Sequence, residues 1–108
     1  MALTRDFRET VQARVVRDAS YRRALLAEAV NELLAGELQV GKSILRDYVN
    51  ATIGFEGLAA ELGKSSKSVQ RMLGSSGNPT AENLLAILKV LQEHEAVHIK
   101  VKITREAA

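Results

Sequence analysis

Residues 56–73 of this 108-residue chain have the sequence EGLAAELGKSSKSVQRML, which predicts two short helices joined by a tight turn. Ala59 is small enough for close packing in the first helix, and Gly63 supplies the turn. Val69 places an apolar anchor in the middle of the second helix. This spacing is typical of a helix-turn-helix, and a helical hairpin with a solvated polar face is the alternative interpretation.

The second helix of this pair predicts a surface that contacts duplex DNA. Four polar side chains occupy positions i, i+1, i+4 and i+5 of one face, namely Ser66, Lys67, Gln70 and Arg71. Arginine and glutamine match the edges of guanine and adenine, respectively, with paired hydrogen bonds. We therefore expect Arg71 and Gln70 to contact bases. Ser66 and Lys67 are expected to set the register or to contact phosphate.

The local distribution of charge indicates more about a nucleic-acid partner than the net charge does. Fifteen basic and 13 acidic side chains give a net charge of +2, so the overall field is weak. Residues 62–81 contain no acid and carry three cations, Lys64, Lys67 and Arg71. We expect Lys64 to contact phosphate whatever the base sequence.

The apolar pattern of the first half of the chain predicts three amphipathic helices. Apolar residues every four positions predict the first over residues 4–17, and Asp18 offers a cap for the next. The second has its apolar stripe over residues 25–34 and ends at Gly36. The third follows and ends by residues 53–54.

The chain after residue 73 predicts one more helix and one strand. Thr80 follows a loop that contains the sole proline, and caps a helix over residues 81–93. Residues 97–103 then alternate apolar and polar side chains, which predicts a half-buried strand with its apolar members at Val97, Ile99, Val101 and Ile103. Because a lone strand leaves its backbone groups unpaired, we expect it to pair with a second copy or with a partner's sheet edge. A loosely ordered tail is the alternative.

These elements predict a single all-α domain over residues 1–108, a bundle of about five or six helices with a C-terminal β-strand. We expect N-terminal helices over residues 4–53, a helix-turn-helix core over residues 55–93 and the strand over residues 97–103. The composition, 46% hydrophobic and 26% charged, is ordinary for a globular domain.

Composition also disfavours several classes of protein. Two Phe, two Tyr and no Trp leave few rings for stacking on unpaired bases, which disfavours a reader of single strands or RNA. The absence of cysteine removes disulfides and cysteine-based zinc sites. No apolar run is long enough for a signal peptide or a membrane span, so we expect a cytoplasmic protein without membrane contact.

Residues 36–43, GELQVGKS, match the phosphate-loop pattern G-x-x-x-x-G-K-S of nucleotide-binding proteins. A true phosphate loop follows a buried strand, whereas residues 24–35 have helical periodicity. We therefore interpret Gly36 as a helix stop and the residues after it as the start of a new helix.

Residues 94–98, HEAVH, match the H-E-x-x-H pattern of zinc proteases. Catalysis would need a third protein ligand, yet His94 and His98 are the only histidines of the chain. The segment also spans the change from helical to alternating pattern, so the two rings need not share a face. We expect no metal, cofactor or catalytic residue.

Residues 55–91 resemble the helix-turn-helix of the phage Cro and repressor (Xre) family. They are most similar to HigA-like addiction-module antitoxins, in which a Gly-Asn-Pro loop and a Leu-Leu-x-x-Leu-x-x-Leu helix follow the recognition helix, as in residues 77–91. The resemblance implies base contacts from the four residues of the polar face. It implies DNA backbone contacts around Ser65 and the following loop, at Ser75, Ser76 and Asn78. Phe55 departs from the family, in which a phosphate-contacting Gln often stands at that position.

The resemblance further implies a transcriptional repressor that acts on its own operon and neutralises a small RelE- or HigB-like toxin. A homodimer joined through the strand would place two recognition helices about 34 Å apart, on an inverted repeat. Three alternatives remain open on the sequence: a stand-alone phage-type Xre/Cro regulator, a protein-interaction module that binds no DNA, and an enzyme acting at either short motif.

Overall fold

The computed structural model describes residues 13–14 and 17–107, and helices are the regular elements of this part of the chain. Five helices follow one another over residues 19–95 of the described chain, namely α1 (Ala19–Leu34), α2 (Leu38–Ala51), α3 (Gly54–Leu62), α4 (Ser66–Leu73) and α5 (Ala81–Glu95). The all-helical prediction is therefore confirmed for the described residues. The helix predicted over residues 4–17 lies mostly outside them. None of the described helices is long and apolar enough to cross a bilayer.

Side-chain caps determine where three of the helices begin. Asp18, Ser65 and Thr80 each accept a hydrogen bond from the backbone amide three residues ahead, at 3.1 Å. Such a bond satisfies an amide that has no partner inside the helix. Gly63, in the left-handed region at φ 65°, ends α3 and turns the chain towards Ser65. The caps at Asp18 and Thr80 and the turn at Gly63 are at the positions that the sequence predicts.

The core is formed by apolar side chains from all five helices. Its fully or almost fully buried members are Leu26, Ala29, Leu45, Tyr48, Val49, Leu58, Ala59, Val69, Leu73, Ile87 and Leu91. Ala59 and Val69 are thus buried as the helix-turn-helix pattern predicts. Gly41 allows α2 to lie close to α1, because a Cβ atom there would stand 2.6 Å from Cδ2 of Leu33.

The predicted strand over residues 97–103 is wrong for the described chain, in which these residues form no strand. Helix α5 ends at Glu95, the following Ala96 is in the left-handed region at φ 58°, and the amide of Val97 donates to the carbonyl of Gln92 at 3.0 Å. The amide of Ile99 donates to Oε1 of Gln92 at 2.7 Å. A ladder needs a neighbouring strand, and no described segment supplies one.

The tail therefore divides into two parts. Val97 and Ile99 are half-buried and pack against the core of the same chain. Val101 and Ile103 belong to the same apolar alternation, but their side chains are 70% and 94% exposed. Only the second part of the predicted strand remains open to another molecule.

A partly buried ion pair joins the first and the last helix of the described residues. Nε of Arg22 in α1 lies 2.9 Å from Oε1 of Glu95 in α5. The hydroxyl of Tyr48 in α2 donates a hydrogen bond to the same oxygen. Burial raises the pKa of the Glu95 carboxyl, but the hydrogen bonds from Arg22 and Tyr48 outweigh burial and hold it below its usual range. Burial and the bond to Glu95 raise the pKa of the Tyr48 hydroxyl. The carboxylate of Glu95 thus connects α5 to α1 and α2.

Candidate nucleic-acid interface

Helices α3 and α4 are joined by the three residues 63–65, as the predicted pair of short helices with a tight turn requires. Val69 and Leu73 turn one face of α4 into the core. The opposite face carries Lys67, Gln70 and Arg71, all exposed, and Ser66, which is half-buried. The structure therefore brings together the four residues predicted to contact DNA. Nε2 of Gln70 donates to Oγ of Ser66 at 3.1 Å, which holds these two side chains side by side.

The remaining predicted contact residues flank α4 at both ends. Lys64 and Ser65 precede it and are exposed, although the hydroxyl oxygen of Ser65 is already engaged as the helix cap. Ser75, Ser76 and Asn78 follow it and are exposed as well. Arg71, Ser76 and Asn78 line one shallow surface depression, so the loop and the recognition face form a continuous surface.

A groove beside α4 contains residues that sequence reasoning missed. Its lining combines side chains from three helices, Arg46, Asn50, Phe55, Glu56, Ser66 and Gln70. The acid-free character predicted for residues 62–81 holds for α4 itself, but Glu56 of α3 brings a carboxylate to the same groove. Arg46 and Asn50 are four residues apart on α2, a spacing that places them on one helix face. No local signal in the sequence indicates that this face meets α4.

A buried lysine of α2 binds the loop that follows α4, residues 74–77. Lys42 in α2 is completely buried, and its Nζ donates to the carbonyl oxygens of Gly74 at 2.8 Å and Gly77 at 2.6 Å. Arg46, one turn further along α2, donates to the carbonyl of Leu73. Two cations of α2 thus bind three carbonyls at the C-terminal end of α4.

Replacing Gly77 with alanine is expected to destabilise the fold by about 2–3 kcal/mol, because the added methyl overpacks a filled site. A Cβ atom at Gly77 would stand 1.9 Å from the carbonyl oxygen of Arg71, a backbone atom that cannot rotate away. Urea denaturation of Gly77→Ala beside Ser76→Ala, an exposed neighbour, measures the effect. Equal midpoints for the two variants would contradict this close approach.

The phosphate-loop match at residues 36–43 lies at the turn between α1 and α2 and in the first turns of α2. A helix precedes it, where a phosphate loop requires a strand. Its lysine, Lys42, points into the protein and binds carbonyl oxygens. The structure therefore agrees with the interpretation of Gly36 as a helix stop, at φ 84°.

The H-E-x-x-H match at residues 94–98 crosses the end of α5. Because the helix ends at Glu95 and Ala96 is left-handed, His94 and His98 do not stand one turn apart on a helix face. The carboxylate of Glu95 is engaged by Arg22 and Tyr48. The arrangement required by the zinc-protease pattern is not present at these residues.

The exposed side chains of α4 and its two flanks are cations and neutral hydrogen-bonding groups. Among the described acids, none forms an ion pair with Lys64, Lys67 or Arg71. No family model, no curated protein and no solved structure matches this chain.

Proposed function

We propose that this protein binds duplex DNA in a sequence-specific manner, with α4 as its recognition helix. The observation that carries the proposal is the exposed face of α4, which presents Lys67, Gln70 and Arg71 outwards and contains no acid. A helix with its side chains is about 10–12 Å wide, close to the width of the major groove. Gln70 and Arg71 have the donor patterns that match adenine and guanine there.

Phosphate contacts complete the proposed binding mode. Lys64 and Ser65 lie before α4, and Ser75, Ser76 and Asn78 lie after it, so the two groups flank the recognition face. Contacts at both ends would fix the orientation of the helix without reading sequence. With a net charge of only +2, affinity for random DNA would depend on these few local charges.

The proposal is tested by fluorescence anisotropy with two labelled duplexes of equal length, one from the region upstream of the gene and one of random sequence. Measurements from 50 to 200 mM salt should show tighter binding to the upstream duplex and affinity that falls steeply with salt. Equal, weak binding to both duplexes would favour the protein-interaction module. Such a result would refute the proposed function.

We also propose that the protein acts as a homodimeric repressor on an inverted repeat in its own operon. The exposed apolar side chains of Val101 and Ile103 support contact between the tails of two copies, since nothing in the described part of the chain covers them. The resemblance of residues 55–91 to HigA-like antitoxins supports a RelE- or HigB-like toxin as a further partner. Co-purification with the product of the neighbouring gene distinguishes this role from that of a stand-alone Xre/Cro regulator.

Replacing Val101 with glutamate is expected to weaken dimerisation and DNA affinity together. A charge at this position opposes the pairing of two apolar tail faces, whereas the monomer fold is untouched because Val101 is exposed. Sedimentation equilibrium and anisotropy on the same sample measure both properties. Lys102→Gln, which lowers the charge of the tail by the same one unit at an exposed polar position, is the control. Unchanged DNA binding by a monomeric Val101→Glu protein would refute the link.

A further inference from the structure

Lys42 is a fully buried cation for which the proposed recognition surface has no direct use. Lysine is almost never fully buried unless its ammonium group is paired, because its desolvation is costly. Here the partners are two carbonyl oxygens of one loop, those of Gly74 and Gly77. The ammonium group of Lys42 therefore stabilises the conformation of residues 74–77.

The direction of these two carbonyls determines the direction of two amides. The described peptide bonds are trans, and in a planar trans peptide the C=O and the following N–H point to opposite sides. Since the carbonyls of Gly74 and Gly77 point inwards to Lys42, the amides of Ser75 and Asn78 point away from it. Neither amide donates to an acceptor in the described part of the chain, and both residues are exposed.

We infer that Lys42 is a positioning residue for a phosphate-binding loop, which holds the amides of Ser75 and Asn78 outwards for one phosphodiester group of duplex DNA. This inference rests on the proposed DNA binding. Two outward amides and the hydroxyls of Ser75 and Ser76 supply neutral donors, which phosphate oxygens accept. A cation bonded to the carbonyl of a peptide also polarises that peptide and strengthens its N–H as a donor.

The loop is tied to the base-contacting face as well as to Lys42. The amide of Gly74 donates to the carbonyl of Arg71 at 3.2 Å, and the amide of Gly77 donates to the carbonyl of Gly74 at 3.0 Å. Ser76 and Asn78 share a surface depression with the side chain of Arg71. A phosphate bound at the loop would therefore lie next to Arg71 without replacing its contact with a base.

The test compares Lys42→Met with Leu26→Ala at a temperature where both variants are folded. Methionine keeps the length of the lysine stem but lacks the ammonium group, whereas Leu26 is buried in α1 and serves as a destabilised control that leaves Lys42 and the loop intact. Lys42→Met is expected to bind the upstream and the random duplex about ten-fold more weakly, with the ratio of the two affinities retained. Leu26→Ala is expected to bind both as the wild type does.

Amide chemical shifts in the wild-type protein keep the inference testable even if Lys42→Met does not fold. Titration with the upstream duplex should move the amide protons of Ser75 and Asn78 downfield, and Lys42→Met should reduce these shifts. If the wild type binds the duplex but these amides do not move, or if folded Lys42→Met binds normally, the inference is overturned while the proposed function stands. If the wild type binds neither duplex, both are overturned.

Discussion

Glu95→Ala is expected to lower the free energy of unfolding by about 3 kcal/mol, because the partly buried carboxylate accepts hydrogen bonds from both Arg22 and Tyr48, each worth about 1.5–3 kcal/mol. The carboxylate side chain is 5% exposed and that of Arg22 is 21% exposed, so the guanidinium would recover only part of its hydration. Tyr48 would lose the acceptor of its hydroxyl. Because one carboxylate ties α1, α2 and α5, the loss acts on the whole bundle.

Thermal unfolding measures this loss directly. A change of about 3 kcal/mol corresponds to a fall in Tm of roughly 12–24 °C in a domain of this size. Glu93→Ala is the matched control, because Glu93 lies on the same helix but is exposed, and a substitution there is expected to change stability by less than about 0.5 kcal/mol. Equal Tm values for the two variants would show that the ion pair contributes no net stability.

Ionisation of the Glu95 carboxyl group makes the free energy of unfolding depend on pH. The folded-state pKa of Glu95 lies below the ordinary carboxyl value of 4.5, so its contribution to stability is present above that pH. It is lost as the pH falls through the lower, folded-state pKa. Wild-type stability should therefore fall more steeply below about pH 4.5 than that of Glu95→Gln, which has no proton to take up at this position. Parallel curves for the two proteins would contradict the assignment.

Arg71→Ala is expected to cost about 1–3 kcal/mol in binding to the cognate duplex and to relax specificity at one base pair. The side chain is exposed on α4, so its removal should leave the core intact. A bidentate contact with guanine explains why the loss would be large on one sequence and small on others. Anisotropy with the cognate duplex and with single-base variants measures the change.

Lys64→Ala is the matched control, since it removes one positive charge from a flank of α4 and not from the recognition face. It should weaken binding to all sequences almost equally and reduce the salt dependence by about one unit of slope. If Arg71→Ala also weakened cognate and random binding equally, Arg71 would be a phosphate contact, and base recognition would have to come from other residues of the face.

The local features of this fold were predictable from the sequence. Caps such as Asp18, Ser65 and Thr80, and the stops at Gly36 and Gly63, act within one helical turn, so their signal lies in adjacent residues. The polar face of α4 was equally predictable, because helical periodicity determines which side chains share a face.

The predicted strand shows where local pattern fails. Residues 97–103 have the alternation of a strand, but a strand is completed only by backbone groups of a neighbour. Within the described chain, the side chain of Gln92 binds the amide of Ile99 instead, and half of the tail packs against the helices. The alternation of apolar and polar residues indicates which side chains could share one face of a strand. It does not indicate whether a neighbouring strand is present to complete a ladder.

The sequence by itself determined the helices, their ends and the face that we propose for DNA, because these depend on neighbours in the chain. Tertiary structure alone decided that Lys42 would bind a loop 32 residues away, that Glu95 would meet Arg22 from the far end of the chain, and that Glu56 would share a groove with Gln70. The physical reason is that these contacts join different helices, whose relative placement follows from burial of the common apolar core. The local sequence around a polar residue does not indicate which residue of another helix it will contact.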